Sequence, residues 1–281
     1  MATAATAGPD AVIAQLHQAV VSVSKGIASD HIKGVGLASP GPLDTEKGVA
    51  LSIPTLAGFD NIPLADLLQQ KLDLPLQLEN DCIAAALGEW RFGAGKGYNN
   101  FVYVTVSTGI GGGVVADGKL LRGRKGMAGH IGHMSIVQNG IRCACGNLGC
   151  WEAYGSGTAL AQRAKDCAPL SKTSLGLGGA TIDGHAVFTA AARGDALARQ
   201  LVAEEAKILG TGIVSLLHLY SPELIIMGGG MANNFDVLHP AITAHISTYA
   251  MPAFRDVMVT RAALGENSGL IGAAALVFES Q

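Results

Sequence analysis

The 281-residue chain carries little charge and no excess of either sign. Asp, Glu, Lys and Arg make up 15% of it, 19 basic against 22 acidic side chains, for a formal net charge of −3. That balance offers no basic surface for nucleic-acid phosphates. No apolar run reaches membrane-spanning length before Gly, Ser or a charge interrupts it. The first residues, MATAATAGPDAV, lack a basic opening and a long apolar core, so no secretory signal and a cytoplasmic location are expected. In that compartment the five cysteines more often bind metal or act chemically than form bridges. Glycine, by contrast, is plentiful: 38 residues, many in short clusters between apolar runs, suggest tight turns and backbone-lined ligand loops. With 49% hydrophobic residues the chain can bury one large or two medium cores.

Periodicity gives an alternating pattern of helices and strands. Pro9–Ser24 places Val12, Ile13, Leu16, Val20 and Val23 on one helical face. IKGVGLASPGPLD reads as a buried strand ending in a turn, GVALSIP as a strand, PLADLLQQKLD as a helix, LPLQLEND as a strand and DCIAAALGEWRFG as a helix. Phe101–Val106, a glycine-rich turn and Val114–Ala116 suggest a hairpin. Helices follow around Thr158–Lys165, His185–Arg193 and Asp195–Tyr220. SPELIIMGGGM is a strand into a glycine turn, a helix starts near Phe235, DVMVTRAAL is a strand and ENSGLIGAAALVFE a closing helix. This alternation argues an α/β fold with parallel strands. Leu170–Thr181 is expected to be a mobile loop, and no usable internal repeat is visible.

Residues 127–152, MAGHIGHMSIVQNGIRCACGNLGCWE, concentrate three of the cysteines. Cys143-x-Cys145 is too short to close on itself without strain and lacks the C-x-x-C spacing of redox pairs. Cys143, Cys145 and Cys150 with His133 supply three sulfurs and one imidazole, the donor set of a closed structural zinc site. Free thiols in a buried loop are the alternative. Cys82 and Cys167 read as packing residues.

Thr108, Gly109, Ile110, Gly111, Gly112 and Gly113 follow a strand and lead into another strand, which excludes the dinucleotide fingerprint and the P-loop, both of which open a helix. Such a turn presents N–H groups to phosphates, or is a plain hairpin turn. Gly228, Gly229 and Gly230 form a second strand-to-glycine turn where a nucleotide could approach the backbone. Asn80 and Asp81 lie at a strand–helix junction, where Asp81 serves as a helix cap or as a general base at the carboxyl end of a parallel strand. Glu152 sits two residues past the last cysteine, as an ordinary exposed acid or as a group aimed by the metal loop.

The segments ASPGPLD, LENDCIAAALGEW, VSTGIGGGVVADGKLLRG, AGHIGHM, CACGNLGCWEAYGSGTAL, ELIIMGGG and SGLIGAAAL, in this order, resemble the ROK family of sugar kinases and transcriptional repressors. The resemblance implies two ribonuclease-H-like α/β domains of the actin and hexokinase type: residues 1–85 with a return helix 267–281, and residues 86–266 carrying the zinc loop. It implies ATP:sugar 6-phosphotransferase activity, Mg²⁺ with ATP, structural Zn²⁺, and assembly as a homodimer or homotetramer. Asp81 matches the general base; Asn80, Glu152 and His133 match sugar contacts, His133 also ligating zinc with Cys143, Cys145 and Cys150. Gly109–Ala116 matches the second phosphate loop and Gly228–Gly230 the adenosine region.

Two departures shape the expectation. His130 stands where family glucokinases carry Glu, as in N-acetylmannosamine kinases, which puts N-acetylmannosamine first and glucose second, unless His130 is a bystander beside the metal. The opening D-x-G-G-T strand-turn-strand, which carries the first phosphate loop, is missing, and no Gly-Gly pair precedes Gly111. The strand near Lys33–Ala38 is then expected to keep an unpaired edge, with weak ATP binding or poor folding as the result. A start assigned too far downstream, or a non-catalytic sugar- and zinc-binding relative, would account for it. A repressor of the family would need a helix-turn-helix ahead of the fold.

Overall fold

The computed structural model describes residues 2–279. Helix α1 (Pro9–Ser24) leads to β1 (Val35–Ser39), the short strands β2 (Leu43–Asp44), β3 (Val49–Ser52) and β4 (Asp60–Ile62), then α2 (Leu64–Leu72), β5 (Leu76–Asn80) and α3 (Asp81–Phe92). Strands β6 (Phe101–Val106), β7 (Ile110–Ala116) and β8 (Lys119–Leu120) precede a long irregular segment that holds the cysteines. Helices α4 (Glu152–Gly155), α5 (Gly157–Cys167), α6 (Gly184–Ala192) and α7 (Ala196–Tyr220) follow, then β9 (Leu224–Gly228), α8 (Phe235–Tyr249), β10 (Met258–Arg261) and α9 (Ser268–Glu279). The expected alternation is present. No helix among the described residues is long and apolar enough to cross a membrane.

The larger sheet has the order β10-β9-β6-β7-β8, with β9 parallel to β6 and β10 and an antiparallel β6–β7–β8 meander. β1 and β5 form a second, parallel pair, and β2–β3–β4 a separate antiparallel sheet. The order α1-β1-α2-β5-α3 recurs as α7-β9-α8-β10-α9, an internal repeat that the sequence did not reveal. In this repeat β1 corresponds to β9. Strand β9 has β6 on its free side, whereas among the described residues β1 pairs with β5 alone. Hence β1 is half-buried over Val35–Ala38 rather than buried as expected. The second half of α1 shares this exposure: Val12 and Ile13 are buried, but Val23, assigned to the same face, is 77% exposed.

The two halves of the repeat meet where α3 crosses α9. A Cβ on Gly272 would overlap the Ala84 carbonyl, and one on Gly88 would lie 2.5 Å from the Ser268 carbonyl, so the two backbones touch. Gly36 lets α9 lie directly on β1 in the same way, its missing Cβ leaving room for the Ala273 carbonyl. Buried side chains from Val102, Trp151, Leu209, Ile213 and Ile225 fill the core around the larger sheet, and Leu43, Phe59, Leu68 and Leu78 fill the core beside β5.

Two expectations need correction. Gly111, Gly112 and Gly113 belong to β7, paired with Thr105, Val104 and Tyr103, and the turn is the shorter Ser107–Gly109. Glycine normally weakens a strand; here Cβ atoms would strike Cys82 Sγ, Ile131 Cδ1 and Ala86 Cβ, each at 2.5 Å, because α3 and the 131–133 turn press on the strand. The 170–181 segment is anchored in its first half. Asp195 accepts from the Thr173 hydroxyl (2.9 Å) and from the Ser174 N–H (2.6 Å) and hydroxyl (2.9 Å), and Leu175 is buried.

Candidate active site

Strand β5 ends at Asn80 and α3 begins at once. Asn80 Oδ1 accepts from the Cys82 and Ile83 N–H groups at 3.0 and 3.3 Å, so Asn80, not Asp81, caps the helix. Its Nδ2 lies beside Gly41 and His130; a methyl group on Gly41 would lie 3.5 Å from both Asn80 Nδ2 and His130 Nε2. Asp81, at the first helical position, is exposed, with Oδ1 accepting its neighbour's N–H from Cys82 at 2.8 Å. Desolvation by the surrounding walls raises its pKa above the ordinary carboxylate value, opposed by hydrogen bonds from Cys82 and the positive potential of His130.

The strand end is braced from the other half of the molecule. Buried Glu79 accepts from the Asn80 N–H at 3.0 Å and from Arg122 Nε at 2.9 Å, Arg122 lying just past β8. Burial raises the Glu79 pKa against these two partners. The same segment reaches back through the Thr45 N–H, which donates to the Lys125 carbonyl at 3.0 Å. His130 Nδ1 donates to the Met127 carbonyl at 3.0 Å, which leaves Nε2 as the outward-facing nitrogen. His130 and His133 stack with ring centroids 6.3 Å apart.

The ligand atoms of His133, Cys143, Cys145 and Cys150 all lie within 4.8 Å of one another. Cys143 Sγ is 3.7 Å from His133 Nδ1, and Cys145 Sγ is 3.7 Å from Cys150 Sγ. A tetrahedron of zinc–sulfur bonds about 2.3 Å long has edges of about 3.8 Å, so the donor set fits zinc in kind, number and spacing. The cluster is closed: Cys143 and Cys150 are buried, and Cys145 faces solvent. Trp151, fully buried, donates its indole N–H to the Ile208 carbonyl at 3.0 Å and ties the cluster to α7. Glu152 comes next. Its Oε1 is 4.0 Å from Cys143 Sγ, and its Oε2 accepts the Ile110 N–H at 2.8 Å.

Both glycine turns emerge at the same end of the larger sheet, since β6 and β9 are parallel neighbours. Gly229, at φ 83°, tucks under β6, where a Cβ would lie 2.5 Å from the Val106 carbonyl. A Cβ on Gly230 would lie 3.7 Å from Ser107 Oγ. The N-terminus of α5 joins them, the Gly157 N–H donating to the Ser107 carbonyl at 2.8 Å and Ser156 capping the helix through the Ala159 N–H. The two glycine turns and the start of α5 thus lie side by side, a setting suited to an anion that meets backbone N–H groups. Sequence reasoning did not single out Gly41, Glu79 or Arg122. An acid at the end of the strand LQLEN, directly before Asn80 and Asp81, was the available signal for Glu79.

The ROK family model matches residues 3–280. The chain belongs to the ROK family. A glucokinase from Thermotoga maritima is 34% identical over 277 residues, 97% of this chain and 86% of that protein. The structure of a ROK glucokinase from Streptomyces griseus with glucose and AMPPNP superposes with a TM-score of 0.84 at 34% identity, covering 99% of this chain and 90% of that one. A ROK transcriptional regulator, a homologue of the Escherichia coli MLC protein, superposes with a TM-score of 0.85 at 27% identity, covering 97% and 69%. The actin- and hexokinase-like α/β fold expected of a ROK protein is present.

Proposed function

We propose that this chain binds a hexose between Asn80–Asp81 and the 127–152 segment and transfers the γ-phosphoryl group of Mg·ATP to its C6 hydroxyl. Glucose is the first candidate, in line with the relatives at 34% identity, and N-acetylmannosamine, suggested by His130, the second. One observation carries the reading: Asn80 caps the helix, and the exposed Asp81 beside it, although bonded to Cys82, has a raised pKa that suits a base. The sugar O6 attacks the γ-phosphorus, the bond to the bridging oxygen breaks, ADP leaves and the hydroxyl proton passes to Asp81. Asn80 Nδ2 donates to a ring hydroxyl, while His130 Nε2 and Glu152 accept from others. The N–H groups of Thr108, Gly109, Gly229 and Gly230 meet the phosphates, stabilisation that grows as charge builds in the transition state. Zinc, held by His133, Cys143, Cys145 and Cys150, cross-links the loop that aims Glu152 and His133.

The edge of β1 that is unpaired among the described residues belongs to the same reading. In the repeat, the strand equivalent to β1 has a three-stranded meander on that side. A matching meander seated on β1, carrying the first phosphate loop that the family resemblance implies, completes the N-terminal unit of residues 1–85 and 267–281. The favoured test pairs calorimetric titration of glucose, N-acetylmannosamine, mannose and N-acetylglucosamine with an ATP-consumption assay on the same four sugars. Binding of glucose with ATP consumption is expected. Binding with no consumption supports the non-catalytic relative instead, an alternative that the open β1 edge favours. Failure to bind any of the four overturns the reading, and turnover at full rate removes the need for the meander.

A further inference from the structure

Glu152 makes a contact that sugar binding does not require. Its Oε2 accepts the N–H of Ile110, 42 residues away, at 2.8 Å. Ile110 is the first residue of β7, directly after the three-residue turn Ser107-Thr108-Gly109. Apart from its internal bond from the Ser107 N–H to the Gly109 carbonyl (2.9 Å), the turn is held on its other side by the Gly157 N–H on the Ser107 carbonyl. The turn therefore hangs between α5 and one carboxylate. Gly109 makes the approach possible: a Cβ there would overlap the Glu152 carboxylate. No positive φ demands glycine at 109, so the lack of a side chain serves that contact rather than the backbone. The carboxylate in turn is placed by what precedes it, Cys150 in the His/Cys cluster and Trp151 sunk into the core.

We propose that Glu152 is a positioning residue for the Ser107–Ile110 turn, its Oε2 clamping the Ile110 N–H while Oε1 stays available to the sugar. Its role for nucleotide rests on the kinase reading above; its role for the turn does not. A charge-assisted bond of this kind strengthens the pairing of an N–H that begins a strand. One carboxylate would then serve both substrates.

Hydrogen exchange at the Ile110 amide, followed by NMR in the full chain without ligands, tests the clamp. Glu152→Ala is expected to speed exchange about tenfold, whereas Glu152→Gln, whose amide oxygen still accepts, stays near the parent. Gly109→Ala keeps the carboxylate but displaces it, and is expected to reproduce Glu152→Ala even where that variant folds poorly. Unchanged exchange at Ile110 in Glu152→Ala or in Gly109→Ala overturns the proposal, as does faster exchange in Glu152→Gln equal to that in Glu152→Ala. AMPPNP titration without sugar forms the second arm. Weaker binding by Glu152→Ala but not by Glu152→Gln is expected, and equal affinity in both overturns the nucleotide role. A parent chain that binds no AMPPNP refutes the kinase reading, while the exchange data still decide the clamp.

Discussion

Replacing Glu89 by alanine would empty the most heavily bonded carboxylate at the crossing of α3 and α9. Glu89 is fully buried on α3. Its Oε2 accepts from the Ala94 N–H at 2.8 Å and the Ala263 N–H at 3.0 Å. Its Oε1 accepts from the Leu264 N–H and the Ser268 hydroxyl, both at 2.8 Å. Three of these four donors come from the segment that leads into α9, so one side chain on α3 fixes where α9 begins. Hydrogen bonds to a charged group are worth about 1.5–3 kcal/mol each, but they are not additive, and water can enter the vacated space. Leaving these neutral buried donors unsatisfied costs about 1–3 kcal/mol each, and with water entering for some of them a net loss of about 3–5 kcal/mol is expected. For a chain of this size that corresponds to a fall in Tm of about 6–20 °C. Differential scanning calorimetry or urea titration of Glu89→Ala beside Glu266→Ala, an exposed acid on the adjoining turn, measures it; the control should shift by less than about 0.5 kcal/mol. A loss under about 1 kcal/mol in Glu89→Ala would refute the view that this carboxylate organises the crossing.

Three further outcomes follow from the same geometry. Asp81→Asn should abolish ATP consumption while stabilising the fold at neutral pH. The folded pKa of Asp81 is raised, so ionisation costs stability above that pKa and the cost fades as pH falls towards 3.8; thermal melts across pH 4–8 should show the gain only at the upper end. Asp195→Ala should lose about 1–3 kcal/mol and loosen residues 173–175. Burial pushes the Asp195 carboxyl up, but N–H groups of Ala198 and Ser174 and the hydroxyls of Ser174 and Thr173 outweigh it and hold the pKa at about 2. Its stabilising effect is therefore present above pH 4 and lost towards pH 2, which urea titrations at several pH values would reveal. Purified protein should carry about one zinc per chain by elemental analysis, and Cys143→Ser or chelation should release it and expose residues 133–150 to protease.

The His/Cys cluster was legible because its four donors fall within eighteen residues, and the chemistry of three thiols and an imidazole narrows the choice of ion. Long helices such as α7 were legible through their apolar period. Other features depended on partners far away in the chain. Glu89 looks like a surface acid on an amphipathic helix until α9, more than 170 residues later, arrives beside it. Gly111–Gly113 read as a turn because glycine is a poor strand former; only the weight of α3 on β7 explains glycines there. The α1–α3 and α7–α9 repeat is plain in the order of elements, whereas no usable repeat is visible along the residues. Asp81 reads as the helix cap on paper, and only the hydrogen bonds show that Asn80 takes the Ile83 N–H and shares the Cys82 N–H with Asp81.

A crystal structure of this protein with glucose bound addresses the central claim most directly. The account requires the C6 hydroxyl within about 3 Å of the Asp81 carboxylate, with other ring hydroxyls on Asn80, His130 and Glu152. A sugar lodged away from Asp81, or with O6 turned towards the His/Cys cluster, would contradict it.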